Sequence, residues 1–264
     1  MSEYLITLIL GIVQGITEFL PISSDGHLEI AKYLLGDKSQ GMDSLSLTIV
    51  LHIATTLSIC YVLREKIVSI LNGLFRFDRS TLSLAGLIIV SMIPAAIAGL
   101  FFEKEISSFF NGNINFVASM LFLNGLFLYI GNRAKPSNEN ITWIKAFLMG
   151  IAQMVAILPG ISRSGTTIST AALLNINRAV AAEFSFIMVL PLIFGKILKD
   201  IIFDQGFTQL QYSGGAIAVG FVAAFIVGIL AFKLLLRLVE NMKMNYFAFY
   251  CIAIAFIIFA ISKI

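Results

Sequence analysis

The sequence predicts an all-α polytopic membrane protein: about six transmembrane helices plus two re-entrant helix-loop-helix hairpins, arranged as an inverted repeat in a single membrane domain, residues 1–264. Three observations carry that expectation. Apolar runs of span length recur along the chain, two further apolar runs are broken at mid-length by Gly, Pro and Ser, and an early part of the chain matches a later part at a fixed offset.

The apolar runs are 46–63, 82–102, 115–132, 184–199, 214–236 and 246–262, several reaching the roughly 20 residues that cross a hydrocarbon core. Of 264 residues 58% are hydrophobic and 12% charged, with mean hydropathy +0.94. A soluble domain carries about 25% charged residues, so lipid is the solvent for most of these side chains. The broken runs, 4–35 and 146–175, read as hairpins that enter the membrane and turn back. The Met-Ser-Glu-Tyr start lacks a basic region and no small-residue cleavage site follows, so no removable signal peptide is expected. Cys60 and Cys251 lie in apolar runs and read as small buried hydrophobes.

Charge placement sets the expected orientation, because short basic loops stay cytoplasmic. Segments 64–81, 133–145, 176–183 and 233–245 carry Arg64, Lys66, Arg76, Arg79, Arg133, Lys135, Lys145, Arg178, Lys233, Arg237 and Lys243. The alternate segments 36–45, 103–114 and 203–213 carry only Lys38 and Lys104, with Lys263 on the tail, and should face outward with both termini. Lys32, Lys196 and Lys199 fall near the outer side within helices and weaken the contrast. The basic loops lack the aromatic interleaving of a nucleic-acid surface and lie between spans, so no nucleic acid is expected as a partner. Trp143, with Tyr129 or Tyr212, reads as interfacial anchoring. Glu183, shortly after Arg178, reads as a loop salt-bridge residue.

An offset of 139 aligns 11–56 with 150–195 without a gap, giving eleven identities in 46 positions. They include Gly11/Gly150, Gln14/Gln153, Ile22/Ile161, Ser23/Ser162, Gly26/Gly165 and Ser46/Ser185. The ordering of Gln, Ser and Gly is harder to obtain from composition than the Leu and Ile matches, so we read an internal duplication with halves of about 1–132 and 146–264. One hairpin followed by three spans inverts the second half and brings the two broken tips together near the midplane, as in transporters.

The first tip contains Gln14, Glu18, Pro21, Ser23, Ser24, Asp25, Gly26 and His27. Gln14 and Glu18, four apart, share a helical face, and Pro21 ends that helix, with a new one expected near Gly26. The second tip, from Gln153 through Pro159, Gly160, Ser162, Arg163, Ser164 and Gly165 to Thr167, repeats the logic with a positive charge. An ion at membrane depth costs at least a few kcal/mol, so Glu18 and Arg163 need a partner or a polar cavity. A single ion pair tying the hairpins together would account for those two, but not for His27 and the hydroxyls in the breaks. Thr17, Ser169 and Thr170 read as packing residues, and His52, four before Thr56, is expected to pack rather than to line the pocket.

Helices restarting near Gly26 and Gly165 would aim N–H groups at an anion, and Arg163 offers a planar donor fork. Phosphate or pyrophosphate fits. Glu18 would repel it unless protonated or holding a divalent metal that bridges to phosphate oxygens. Ser24 with His27 as base, or His27 itself, could serve as nucleophile; the sequence leaves both open.

The stretch Gly15-Ile16-Thr17-Glu18-Phe19-Leu20-Pro21-Ile22-Ser23-Ser24-Asp25-Gly26-His27 closely resembles one signature of the bacterial undecaprenyl pyrophosphate phosphatase (bacitracin-resistance) family. The stretch Leu158-Pro159-Gly160-Ile161-Ser162-Arg163-Ser164-Gly165-Thr166 resembles the other. Length, span pattern and Ile93-Pro94-Ala95-Ala96-Ile97-Ala98-Gly99 extend the likeness over nearly the whole chain. The resemblance implies hydrolysis of a polyprenyl (C55) pyrophosphate lipid to the monophosphate plus phosphate. That reaction recycles the carrier for cell-wall synthesis and confers bacitracin resistance, in the bacterial inner membrane at a site facing the extracytoplasmic side. It further implies a divalent metal (Mg or Ca) with Glu18 as ligand, and a catalytic set of Glu18, Ser24, His27 and Arg163. Gln14, Ser23, Gly26, Ser162, Ser164, Gly165 and Thr166 would bind substrate, and a homodimer is an open option. Gln14 stands where some members have a second glutamate, and Asp25 replaces the usual Ser or Thr. The competing class is a transporter or flippase for a polyprenyl phosphate lipid or a small anion, which inverted repeats with broken helices also suit.

Overall fold

A computed structural model describes residues 2–35, 42–102, 105, 114–135, 139–202, 212–241 and 244–261. The outer-segment charges Lys38, Lys104 and Lys263, and Lys243 of the basic set, lie outside the described residues, as do the side chains of Ser46, Lys196 and Lys199.

Among the described residues the chain forms eleven α-helices: α1 Glu3–Thr17, α2 Ser24–Leu35, α3 Met42–Val62, α4 Arg64–Phe75, α5 Arg79–Phe101, α6 Ile114–Asn132, α7 Trp143–Val155, α8 Arg163–Leu173, α9 Arg178–Ile202, α10 Gly214–Glu240 and α11 Asn245–Ile261. Four are long and apolar enough to cross a membrane: α5, α6, the Arg178–Gly195 part of α9, and α10 as far as Val239. A fifth span results if α3 and α4, which meet at a 76° bend, count as one. The run 246–262, expected as a sixth span, is α11, a 17-residue apolar helix. Many side chains on these helices are apolar and open to the surroundings, such as Ile89, Leu100 and Leu230, as lipid contact requires. The chain is a polytopic membrane protein.

Local chemistry explains the helix starts. Asp78 caps α5 by accepting from the Thr81 N–H at 3.0 Å, Ser162 caps α8 through Gly165 at 3.2 Å, and Ser213 caps α10 through Ala216 at 3.3 Å. The helices after the two breaks begin at Ser24 and Arg163, two residues earlier than expected at Gly26 and Gly165. The cause at the second break is the cap: Ser162 satisfies the Gly165 N–H, so the helix is already under way there.

The segment 64–81, expected as a loop, contains helix α4. Ile67 and Ile70 pack on the core while Val68, Leu71 and Phe75 are exposed, the two-faced pattern of an amphipathic helix. Glu183 is an ion-pair residue as expected, but within α9 and with Lys66 at 3.5 Å. Arg178 instead donates to the Asn132 and Ala134 carbonyls at the end of α6, at 3.2 and 2.8 Å. Trp143 is half exposed, whereas Tyr212 is buried and so does not face the interface. Cys251 is buried and Cys60 half-buried, both as free thiols.

The packing is dominated by α1 on α10, α6 on α11, α5 on α7 and α3 on α10. Two glycines make the closest approaches to another helix's backbone. A Cβ on Gly11 would lie 2.3 Å from the Gly220 carbonyl oxygen of α10, and one on Gly150 would lie 2.3 Å from the Ser91 carbonyl oxygen of α5. The 139-residue offset matches these two glycines to each other. Under the breaks, Phe19, Phe186 and Phe232 are fully buried, with ring centroids 5.0 Å (Phe19–Phe232) and 4.4 Å (Phe186–Phe232) apart.

Candidate active site

The two helix breaks touch. Pro21 follows the end of α1, and Ser23 takes a left-handed backbone (φ 71°) before α2 begins. A side chain in that region costs about 1–2 kcal/mol, and the surrounding hydrogen bonds hold it there. The Ser23 hydroxyl accepts from the Gly160 N–H of the second break at 3.2 Å. The Ser164 hydroxyl donates to the Phe19 carbonyl at 3.0 Å. Asn124 of α6 joins both breaks, donating to the Pro21 carbonyl at 3.0 Å and accepting from the Ser162 N–H at 3.1 Å. Protein groups thereby satisfy the Phe19 and Pro21 carbonyls of one break and the Gly160 and Ser162 N–H groups of the other, as irregular backbone away from water requires.

On this frame the charged groups meet. Glu18 and Arg163, 145 residues apart, form an ion pair at 2.5 Å with both side chains largely buried. The other Glu18 oxygen, Oε2, accepts from the Ser24 hydroxyl at 2.8 Å and from the Gln14 amide at 3.2 Å. Gln14 also reaches Thr55 of α3 at 3.4 Å. Arg163 leans over the Phe186 ring, with its Cζ 5.9 Å from the centroid. Its Nη1 is buried and, among the described residues, has no hydrogen-bond partner. A buried cationic donor left over after the ion pair is what an incoming anion would use.

The remaining expected residues divide. Ser162 and Ser164 lie 3.2 Å apart through their hydroxyls and hold the break together, and Thr166 donates back to the Ser162 carbonyl at 2.7 Å. Gly26 packs beside Val117, Ser23 and Gly160. The Gly165 N–H, expected to face an anion, is taken by the Ser162 cap. His27 does not pair with Ser24: Nδ1 lies 2.8 Å from the Ser23 carbonyl oxygen and Nε2 lies 2.8 Å from the Tyr250 hydroxyl. Thr17 bonds its own helix through the Val13 carbonyl, as a packing residue should.

Three residues of the site were missed in the sequence. His52, expected to pack, directs Nε2 at both Glu18 Oε2 and Asp25 Oδ1, 3.7 Å from each, while Nδ1 lies 2.9 Å from the Thr48 carbonyl oxygen. Asn124 offered a signal, a buried amide in the middle of an apolar span. Tyr250 offered none, being one of many aromatics on a lipid-facing helix.

For a divalent metal the donor set is sparse. Among the described residues no three His, Cys, Asp or Glu groups are gathered as a cage. Glu18 already accepts from Arg163, Ser24 and Gln14. A protein-only cage does not fit these residues. An ion of the Mg type, held by one carboxylate with substrate phosphates and water completing its shell, does.

The family model described as bacitracin resistance protein BacA matches residues 7–257. The chain is 45% identical over 261 residues to a protein of Christiangramia forsetii named undecaprenyl-diphosphatase, covering 97% of this chain and 98% of that one. It is 41% identical over 273 residues to one of the same name from Bacteroides fragilis, covering 99% of each. With the undecaprenyl-diphosphatase of Methanococcus vannielii it shares 38% over 258 residues, covering 96% of this chain and 99% of that one. A match of this extent, running through both breaks and the charged residues they carry, means that the chain belongs to the BacA bacitracin-resistance family.

Proposed function

We propose that this chain is an undecaprenyl-diphosphatase: it hydrolyses undecaprenyl pyrophosphate in the membrane to the monophosphate and inorganic phosphate, recycling the lipid carrier and conferring bacitracin resistance. The observation that carries the reading is the meeting of Glu18, Ser24 and Arg163 from two breaks distant in sequence. Full-length similarity to proteins of that name supports it.

Ser24 is the nucleophile of this reading, because its hydroxyl is bonded to a carboxylate at 2.8 Å and His27 is engaged elsewhere. Ser24 Oγ attacks the terminal phosphorus while its proton passes to Glu18, and the bond to the bridging oxygen breaks to release the lipid monophosphate. Water then cleaves the phosphoserine, giving inorganic phosphate and restoring Ser24. Arg163 turns its free Nη1 to the pyrophosphate oxygens and stabilises the charge that develops in transfer. Glu18 would hold a divalent ion (Mg or Ca) brought with the pyrophosphate, and the chemistry supplied would be neutralisation of phosphate charge. Gln14 orients Glu18; Ser23, Gly26, Ser164 and Gly165 keep the two breaks in register, and Ser162 and Thr166 shape the second break from which Arg163 projects.

The finer topology belongs to the same proposal: six crossings by α3, α5, α6, α9, α10 and α11, with α1–α2 and α7–α8 as re-entrant hairpins of two inverted halves, 1–132 and 146–264. Its support is the crossed packing of α1 on α10 and α7 on α5, the pattern a two-fold relation between the halves requires. The basic segments put α4 and the loops after α6 and α10 on the cytoplasmic side and the breaks open to the other. Flipping or transport of the same lipid is the competing reading.

Phosphate release from undecaprenyl pyrophosphate by purified protein in detergent, with and without divalent metal, tests the proposal. Metal-dependent release is expected. Well-folded protein that releases none would move lipid transport to first place.

A further inference from the structure

His27 sits in the first turn of α2, three residues after Ser24, and its ring is held at both nitrogens. Nδ1 lies 2.8 Å from the Ser23 carbonyl. That oxygen can only accept, so in the neutral ring Nδ1 carries the hydrogen and Nε2 keeps the lone pair. The Tyr250 hydroxyl, 2.8 Å from Nε2, therefore donates to it. The two rings also stack, with centroids 5.6 Å apart and planes within 16°. The Ser23 carbonyl is itself aimed by a left-handed backbone (φ 71°), whereas Tyr250 comes from α11, 223 residues away in the sequence.

We infer that Tyr250 is a positioning residue for the hydrolysis, its hydroxyl holding His27 in one tautomer and one orientation beside the reacting serine. Ser24 is thereby left to Glu18 instead of being drawn to the imidazole. Tyr250 acts through His27 and touches no reacting atom. The kinetic part of this inference rests on the diphosphatase reading; the hydrogen bond itself does not, and the two parts are tested separately.

The chain has two histidines, so the ring nitrogens of full-length protein labelled with 15N-histidine in micelles give four resonances. Tyr250→Phe keeps the ring and removes the hydroxyl. The expected result is that the His27 Nε2 resonance moves to the position of an unbonded imidazole nitrogen while the His52 resonances stay. No movement at His27, or equal movement at both histidines, overturns the inference. In phosphate release, Tyr250→Phe is expected to lower kcat by about three- to thirtyfold with KM within about twofold, the scale of one lost hydrogen bond. In the His27→Ala background, the same change should do nothing further. An equal loss in both backgrounds would assign Tyr250 a role independent of His27 and overturn the proposal. Wild-type protein that releases no phosphate yet shows the expected spectrum would count against the diphosphatase reading and leave the contact standing.

Discussion

The two breaks share a backbone plan and divide the chemistry between them. At the 139-residue offset, Gln14 matches Gln153 and Ser23 matches Ser162, but Glu18 matches Ile157, Ser24 matches Arg163 and Thr55 matches Phe194. The first break thus holds the acid and the hydroxyl, and the second holds the cation. The two glutamines show what the division did to their surroundings. Gln14 bonds Glu18 and Thr55, while Gln153, equally buried, has neither amide atom partnered among the described residues.

The largest effect expected is at the pair that unites the breaks. Arg163→Ala should lower phosphate release by about a hundred- to a thousandfold. It also leaves Glu18 buried without its cation, a destabilisation of about 3–5 kcal/mol that a thermal melt would report. The double change Glu18→Leu with Arg163→Met should regain much of that stability and none of the activity. Recovery of activity would show that the pair is structural. Next in size, Ser24→Ala should cut phosphate release by about a hundredfold with an unchanged melting temperature, since its half-buried hydroxyl holds no part of the frame. Retained activity would return the nucleophile to His27 or water.

The glutamines sharpen the comparison directly. Gln14→Leu is expected to lower release by about tenfold, because Glu18 loses one orienting donor. Gln153→Leu should leave release unchanged and raise the melting temperature, because it removes two buried polar atoms that lack partners. Equal losses from both would mean that the second break carries chemistry of its own. The smallest effect lies outside both breaks. Bonds from Ser80 and Thr81 hold the Asp78 carboxyl below the usual carboxylate range. Its cap therefore contributes stability above that range and loses it as pH falls through the lowered value. Asp78→Ala should melt slightly earlier than wild type at neutral pH, with the gap closing in acid; a gap that persists in acid would rule this out.

Much of the first break was legible, for local reasons. Pro21 must end a helix, Gln14 and Glu18 must share a face, and an ion on an apolar hairpin must find a counter-charge. The pairing of Glu18 with Arg163 follows from those rules once both hairpins are recognised. The segment around α4 carries the charges expected of a loop between spans, and only the spacing of Ile67 and Ile70 against Val68 and Leu71 marks it as an amphipathic helix. His52 was read as packing because a single-turn spacing to Thr56 says nothing about which neighbour its ring faces.

By itself the sequence determined the solvent, the helical composition, the two breaks and the charges placed in them, because these follow from hydropathy, proline geometry and the cost of burying an ion. Only the tertiary structure decided that Asn124 joins the breaks, that His52 faces Glu18 and Asp25, that Ser24 belongs to Glu18, and that Tyr250 holds His27. Those partners lie on other helices, from 6 to 223 residues away for the two hydrogen bonds made by Ser24 and His27. In a chain whose spans are nearly uniform in apolarity, no local pattern encodes which face of a helix meets which neighbour.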